Sequence, residues 1–191
     1  MKHDPTFWIL ARATGIVAYG VLAATIVAGL VLKGRPVRSL RPAAVMDLHK
    51  FLSLLGLMAV GLHGATLFLD ETIDIPLTGF LVPGLVLYRP LWTGVGVLAA
   101  ELMLIIHLSF RWRQRIGVRV WRRLHFATYA VFAGATLHGL LAGTDSSRTL
   151  MLGAYAATVG LVLALTGWRA TMQKSASRTR SGAAAAQRTT G

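Results

Sequence analysis

Four histidines in two apolar segments are the residues whose type and spacing favour chemistry in this sequence. His49 and His63 lie in one segment, and His125 and His138 lie in another. Their separations of 14 and 13 residues correspond to about 21 Å and about 20 Å of helical rise. If both segments are helices that run in the same direction, the histidines form two pairs at two matched depths.

Paired imidazoles are suitable axial ligands for heme iron, and two of them leave no open coordination position, which favours electron transfer over oxygen binding. The pattern therefore predicts two bis-histidine hemes, one held by His49 and His125 and one by His63 and His138. The sequence has no cysteine, which excludes Cys-ligated iron–sulfur clusters and the attachment of c-type heme. The alternative interpretation is that the histidines are structural polar residues that form hydrogen bonds inside the bundle.

The 13-residue spacing fits one ideal helix less well than the 14-residue spacing does. Around an ideal helix, a spacing of fourteen residues rotates about 40° less than four full turns, whereas a spacing of thirteen rotates about 140° less. We therefore expect either a kink or local rewinding in the second segment, for example at Gly134, or two hemes that are offset around it.

The elements that position these histidines are membrane spans. The chain has 191 residues, of which 54% are apolar and 14% charged, whereas soluble domains carry about 25% charged residues. Five apolar stretches approach or exceed the length of about 20 residues that crosses a bilayer; they cover about 7–32, 45–69, 91–110, 124–142 and 149–168. The sequence thus predicts an all-α integral membrane protein, a five-helix transmembrane bundle. Residues 1–168 would form the heme-binding domain, and 169–191 a disordered basic cytoplasmic tail.

The formal net charge of +13 is concentrated at the ends of these spans. Sixteen of the twenty Lys and Arg residues fall in three clusters: Lys33, Arg35, Arg38, Arg41 and Lys50; Arg111, Arg113, Arg115, Arg119, Arg122 and Arg123; Arg169, Lys174, Arg178, Arg180 and Arg188. This distribution follows the positive-inside rule and argues against a nucleic-acid partner. It predicts an outside N-terminus and a cytoplasmic C-terminus in the cell membrane.

The connection between the second and third spans carries acidic residues and belongs to the outer side. It contains Asp70, Glu71 and Asp74, and prolines divide it into pieces too short to span. Because it is also too apolar for a plain loop, we expect an interfacial or re-entrant segment over the outer end of the bundle.

The sequence resembles the ferric reductase-like transmembrane domain family over about residues 7–168. The resemblance rests on ILARATG in the first helix, HKFLSLLGLMAVGLHG in the second and WRRLHFATYAVFAGATLHG in the fourth. This family includes ferric-chelate reductases, the membrane half of NADPH oxidases, and the heme-binding membrane subunit of a bacterial methionine sulfoxide reductase system. The resemblance implies b hemes at both histidine pairs, with Arg12 neutralising a propionate of the outer heme.

Two other ionisable residues have more than one interpretation. A lone arginine in a span needs an anionic partner; a propionate or Glu101 would serve Arg12, and the alternative is that its side chain reaches the outer interface. His107 lies near the cytoplasmic end of the third span. It is a candidate heme ligand or propionate donor, and the alternatives are that it faces the interface or is bonded within the bundle.

The functional prediction is a di-heme b-type membrane cytochrome that passes electrons from a cytoplasmic donor to an acceptor at the outer face. The sequence has no G-x-G-x-x-G strand–turn–helix unit that would bind a nicotinamide or flavin nucleotide. We therefore expect the donor to be a separate flavoprotein or a quinol. The basic loop 111–123 would be the docking surface for an acidic flavoprotein. The acceptor could be a ferric chelate, a quinone, oxygen or a protein. One alternative is a heme-binding, quinol-linked membrane subunit of a partner periplasmic reductase, and another is a non-redox small transporter or heme sensor.

Overall fold

The computed structural model describes the backbone of residues 5–34, 39–73 and 75–189, and the side chains of those up to residue 172. The helices are α1 (Thr6–Gly34), α2 (Pro42–Phe68), α3 (Pro90–Ser109), α4 (Val118–Phe126), α5 (Thr128–Leu141) and α6 (Thr149–Thr189), with short 3₁₀ turns at Leu77–Phe80 and Phe110–Trp112. Arg35, Arg38 and Asp74, which entered the charge pattern, lie outside the described residues, as do the side chains of the last basic cluster after Arg169.

Five segments of the described chain are long and apolar enough to cross a membrane. They are α1, α2, Pro90–Trp112, Val118–Leu141 and Thr149–Met172. Proline at the first position of α2 and of α3 suits a helix start, because its missing N–H would have no intrahelical acceptor there. The prediction of an all-α, five-helix membrane bundle is confirmed.

The first helix, α1, is the centre of the bundle. In its most apolar window 39% of the residues are buried, against 11–17% in the other spans. It packs most extensively against α2 and also contacts α5 and α6, while α3 packs against α5. The buried core that joins these helices consists of Leu22, Ala23, Ile26, Leu30, Ile106, Val131, Phe132 and Val162. The other spans expose apolar side chains on their outer faces, as expected of helices that contact lipid.

The fourth span consists of two helices, which corrects the single helix expected over 124–142. The helix α4 begins at Val118, inside the segment that the charge pattern assigned to a basic loop. The N–H of Ala127 donates to the carbonyl of Leu124 at 2.9 Å, a 3₁₀-type bond that separates α4 from α5. The distortion therefore lies at Ala127 and not at Gly134. Gly134 instead makes a close contact with α3, where an added Cβ would lie 3.2 Å from the Cβ of Ala99.

The connection between α2 and α3 folds over one end of the bundle. The buried carboxylate of Asp70 accepts hydrogen bonds from two backbone N–H groups that follow it, which closes the turn after α2. Near its end, Arg89 donates to the carbonyl of Leu141 at 2.6 Å and the hydroxyl of Tyr88 donates to the carbonyl of Ala142 at 3.2 Å. These bonds satisfy carbonyls at the C-terminus of α5, which have no partner within the helix.

The last helix, α6, continues past residue 168 to Thr189, where the sequence predicted an irregular tail. The sequence of this extension contains no proline and is rich in alanine and arginine, which are strong helix formers. The division of the chain into a heme-binding bundle and a separate basic tail stays a prediction.

Candidate functional site

The structure brings the four histidines together as two pairs between α2 and the α4–α5 span. The ring centroids of His49 and His125 are 6.1 Å apart, and those of His63 and His138 are 6.4 Å apart. The imidazole planes of the two pairs cross at 75° and 72°. His125 lies on α4 and His138 on α5. Because the turn at Ala127 separates these helices, the 13-residue spacing does not have to match the period of a single helix.

Both ring separations fit a single metal ion held between two imidazoles. A metal–imidazole bond of about 2.0–2.1 Å, with each ring nitrogen about 1.1 Å from its centroid, gives a centroid separation of about 6.2–6.4 Å when the two bonds are collinear. The described residues contain no group of three or more His, Cys, Asp or Glu side chains that could hold a bare ion. Two imidazoles at this separation also suit a prosthetic group that supplies the other ligands itself, such as the four nitrogens of a heme.

Three of the four histidines are held by the same arrangement on a neighbouring helix, which we name the glycine–carbonyl contact. The histidine Nδ1 lies at hydrogen-bond distance from the carbonyl of residue i, and the imidazole packs on a glycine at i+4. The contacts are His63 with Ala11 and Gly15 (2.8 Å), His49 with Thr25 and Gly29 (2.9 Å), and His138 with Trp92 and Gly96 (2.9 Å). A carbonyl in an α-helix points toward residue i+4, and a glycine there leaves the carbonyl oxygen open to a second donor.

These contacts determine which nitrogen of each ring is free to bind a metal. A backbone carbonyl can only accept a hydrogen bond, so Nδ1 must carry the proton and donate it. The neutral imidazole then has its lone pair on Nε2, the nitrogen that a heme iron would bind. Metal-binding histidines are commonly oriented in this way by a bond from their other ring nitrogen.

The glycines are close enough to the rings that no larger residue would fit without movement. An added Cβ would lie 3.0 Å from Cε1 of His63 at Gly15, 3.2 Å from Cε1 of His49 at Gly29, and 2.5 Å from Nδ1 of His138 at Gly96. Sequence reasoning did not connect the α1 glycines with the histidines. The signal it missed is that the two α1 glycines are 14 residues apart, the same spacing as the two histidines of the neighbouring α2.

His125 is held differently from the other three histidines. Its Nδ1 is buried and has no hydrogen-bond partner within the described part of the chain, and the same is true of Nε1 of Trp121. The two rings are stacked, with centroids 5.0 Å apart and planes at 24°. Phe110 packs edge-on against the indole at 5.7 Å. Aromatic packing thus holds this imidazole, whereas a backbone carbonyl holds each of the other three.

A cavity of about 300 Å³ lies beside the His63–His138 pair, and Arg12 and Asp145 are among its lining residues. Nε and Nη2 of Arg12 donate to the two carboxylate oxygens of Asp145 at 2.7 Å and 2.5 Å. The hydrogen bond from Arg12 lowers the pKa of Asp145 below its ordinary value of 3.8. This carboxylate precedes α6 in the turn that follows α5, and it also contacts Arg148 at 3.1 Å.

The carboxylate partner of Arg12 is therefore Asp145 and not Glu101, which corrects one of the sequence-based interpretations. Asp145 escaped sequence reasoning because it lies 133 residues from Arg12 in a short polar turn that carries no motif. His107 of α3 lies 3.2 Å from Ser53 of α2, measured from Nδ1 to Oγ. This contact fits the interpretation in which His107 is bonded within the bundle, and a role toward heme stays a prediction.

Comparison with known proteins identifies the family. The family model described as ferric reductase like transmembrane component matches residues 14–136. Searches of curated proteins and of solved structures gave no significant match. The matched range includes three of the four paired histidines, begins after Arg12 and ends before His138.

Transmembrane domains of this family generally bind heme, and membership indicates a membrane redox component. The described chain has five helical segments able to span a membrane, which agrees with a multi-pass membrane protein. More than half of the sequence lies within the matched range. The chain belongs to the ferric reductase-like transmembrane component family.

Proposed function

We propose that this protein is a di-heme b-type cytochrome that carries electrons across a membrane between its two histidine pairs. The observation that carries the proposal is the ring separation of 6.1 Å in one pair and 6.4 Å in the other. Three glycine–carbonyl contacts support it, because they leave Nε2 as the ligand nitrogen in each of those imidazoles. The ligands would be His49 with His125, and His63 with His138.

Reversible one-electron reduction of iron is the chemistry that a bound heme supplies at each pair. The residues of this chain orient the ligands and control access to them. The two imidazoles of each pair would hold the iron between them, which would leave no open coordination position for oxygen or a substrate. Backbone carbonyls of α1 and α3 restrict the rotation of three of the rings, and a group held in one orientation loses less conformational entropy on binding.

Arg12 provides a positive charge on the wall of the cavity beside the His63–His138 pair. Its bidentate bond to Asp145 holds the guanidinium in one orientation. A heme propionate at this position would be a second anionic partner for Arg12. In a low-dielectric surrounding such a pairing is stronger than it would be in water.

The proposed direction of electron flow is from the His49–His125 end of the bundle to the His63–His138 end. Six arginines between residues 111 and 123 lie near the His49–His125 end of the bundle, and the positive-inside rule places that end in the cytoplasm. The donor would therefore be a cytoplasmic flavoprotein, attracted by these arginines, or a quinol. The acceptor would meet the His63–His138 end and belong to one of four classes: ferric chelate, quinone, oxygen or protein.

Heme content of the purified protein tests the proposal. We expect a low-spin b-type spectrum and two hemes per chain by the pyridine hemochrome assay. His63→Ala and His138→Ala should each lose the same heme and retain the other. Gly20→Ala is the matched control, because an added Cβ there meets no atom within 4 Å, and it should keep both hemes.

Two results would overturn this proposal in different ways. A folded preparation without heme would reject the cytochrome and favour the non-redox transporter. Full heme content in both His63→Ala and His138→Ala would reject the pairing of the ligands while leaving heme binding in place.

A further inference from the structure

The two histidine pairs are built unequally. Both rings of the His63–His138 pair make glycine–carbonyl contacts, but in the other pair only His49 makes one. Nδ1 of His125 is buried without a hydrogen-bond partner among the described residues. A buried imidazole without such a bond has no polar contact to set its rotation, so packing must hold it in place.

The packing partner of His125 is Trp121, one helical turn earlier on α4. The indole and imidazole rings are stacked at 24° with centroids 5.0 Å apart, within the range of favourable aromatic contacts. Phe110 packs against the indole of Trp121 edge-on, with ring centroids 5.7 Å apart. Nε1 of Trp121 is itself buried and without a partner in the described chain, so the indole acts here through its ring and not through a hydrogen bond.

We propose that Trp121 is the positioning residue of His125, and that stacking by its indole ring replaces the glycine–carbonyl contact that orients the other three histidines. The inference rests on the proposed function, because it concerns a ligand of the heme at the His49–His125 pair. Without a carbonyl acceptor among the described residues, His125 would be a less basic ligand than the others. The heme of this pair would accordingly be the one held less firmly.

The test compares two variants of Trp121 with a control in the same basic segment. Trp121→Leu removes the flat ring, and Trp121→Phe keeps an aromatic ring but removes the indole nitrogen. Trp112→Leu is the control, because that indole is 46% exposed. The full-length protein is purified with its heme, transfer of heme to apomyoglobin is timed, and each heme is followed by its EPR signal and its midpoint potential.

We expect Trp121→Leu to weaken retention of one heme by roughly 10–100-fold, the usual effect of losing a residue that orients a metal ligand. The affected heme should be the one that His125→Ala also loses, and its EPR signal and potential should change while those of the other heme do not. Trp121→Phe and Trp112→Leu should retain both hemes and both signals. If Trp121→Leu does not accumulate, Trp121→Met carries the same expectation, since it keeps apolar volume without a flat ring.

The possible outcomes separate this inference from the proposed function. Absence of heme from the unmodified protein would reject the cytochrome itself. With two hemes present, unchanged signals in Trp121→Leu would overturn the role of Trp121, and so would equal damage to both hemes. A Trp121→Phe variant as defective as Trp121→Leu would overturn stacking as the mechanism.

Discussion

Replacing Gly96 by alanine should displace His138 and release the heme bound at the His63–His138 pair. The added methyl group would lie 2.5 Å from Nδ1 of His138 and 2.8 Å from two of its ring carbons. Ordinary van der Waals contact begins near 3.4 Å, so the ring has to retreat from α3. The bond from Nδ1 to the carbonyl of Trp92, 2.9 Å in the structure, would lengthen to roughly 3.6–3.8 Å and cease to be a hydrogen bond.

The energetic cost of Gly96→Ala follows from these contacts. Losing the hydrogen bond removes about 0.5–1.5 kcal/mol, and crowding the packed site adds about 1–3 kcal/mol. The greater helix propensity of alanine offsets about 1 kcal/mol. The net penalty of about 0.5–3.5 kcal/mol acts on the geometry of His138, and each 1.4 kcal/mol is a tenfold change in an equilibrium constant. We therefore expect heme retention at this pair to fall by about thirtyfold at the midpoint of this range, about 2 kcal/mol.

Heme-to-protein ratio by the pyridine hemochrome assay measures this effect, together with thermal unfolding in detergent. Gly96→Ala should yield about half the heme of the unmodified protein and keep the signal of the other heme. Gly20→Ala is the matched control, because an added Cβ there meets no atom within 4 Å. It should keep both hemes and unfold at the same or a higher temperature. Full heme content in Gly96→Ala, with an unchanged spectrum, would refute the role assigned to the glycine–carbonyl contact.

Three further predictions concern the ligand planes, the Arg12–Asp145 ion pair and the cap of α5. Both pairs of imidazole planes cross near a right angle, so the two rings of a pair would donate to different iron orbitals. Both hemes should therefore give strongly anisotropic low-spin EPR signals. Ordinary rhombic low-spin signals would contradict this geometry. The pKa of Asp145 is lowered in the folded protein, so the stability it contributes is present above its unfolded pKa and lost as pH falls through the lower folded value. Thermal unfolding of Asp145→Asn should therefore fall below that of the unmodified protein near neutral pH and converge with it below about pH 4; a pH-independent difference would exclude the ion pair as its cause. Arg89→Ala removes the hydrogen-bond donor to the carbonyl of Leu141 and should lower the free energy of unfolding in detergent by about 1 kcal/mol. An unfolding midpoint equal to that of the unmodified protein would mean that water satisfies this carbonyl as well as Arg89 does.

The sequence was sufficient to predict the five spans and which histidines lie beside each other. A bilayer imposes a minimum apolar length on each helix, and prolines at residues 42 and 90 mark the starts of α2 and α3. Helical rise then relates the spacing of His49 and His63 to that of His125 and His138. The structure places the histidines of equal predicted depth in contact, while their role as heme ligands stays a prediction.

The features that sequence reasoning did not predict depend on how distant helices pack. Asp145 reaches Arg12 only because the turn before α6 lies against the start of α1. The break at Ala127 has no proline or glycine to mark it. The carbonyls that hold the histidines belong to the backbone, which has the same chemistry at every position, so only the glycine four residues later distinguishes them. That glycine is informative once the neighbouring helix is known.

The glycine–carbonyl contacts divide the bundle into two halves, with consequences for its assembly. His49 and His63 are both held by α1, and His138 is held by α3, so α1 with α2 and α3 with α5 each bring oriented ligands. Chains fold from the N-terminal end during synthesis, and the α1–α2 hairpin would present one ligand for each heme before α5 exists. On the proposed function, each heme would then join the two halves, and the cofactor would hold together two separately inserted hairpins. We expect the α2–α3 boundary, where direct helix contact is slight, to be the first to open when heme supply fails.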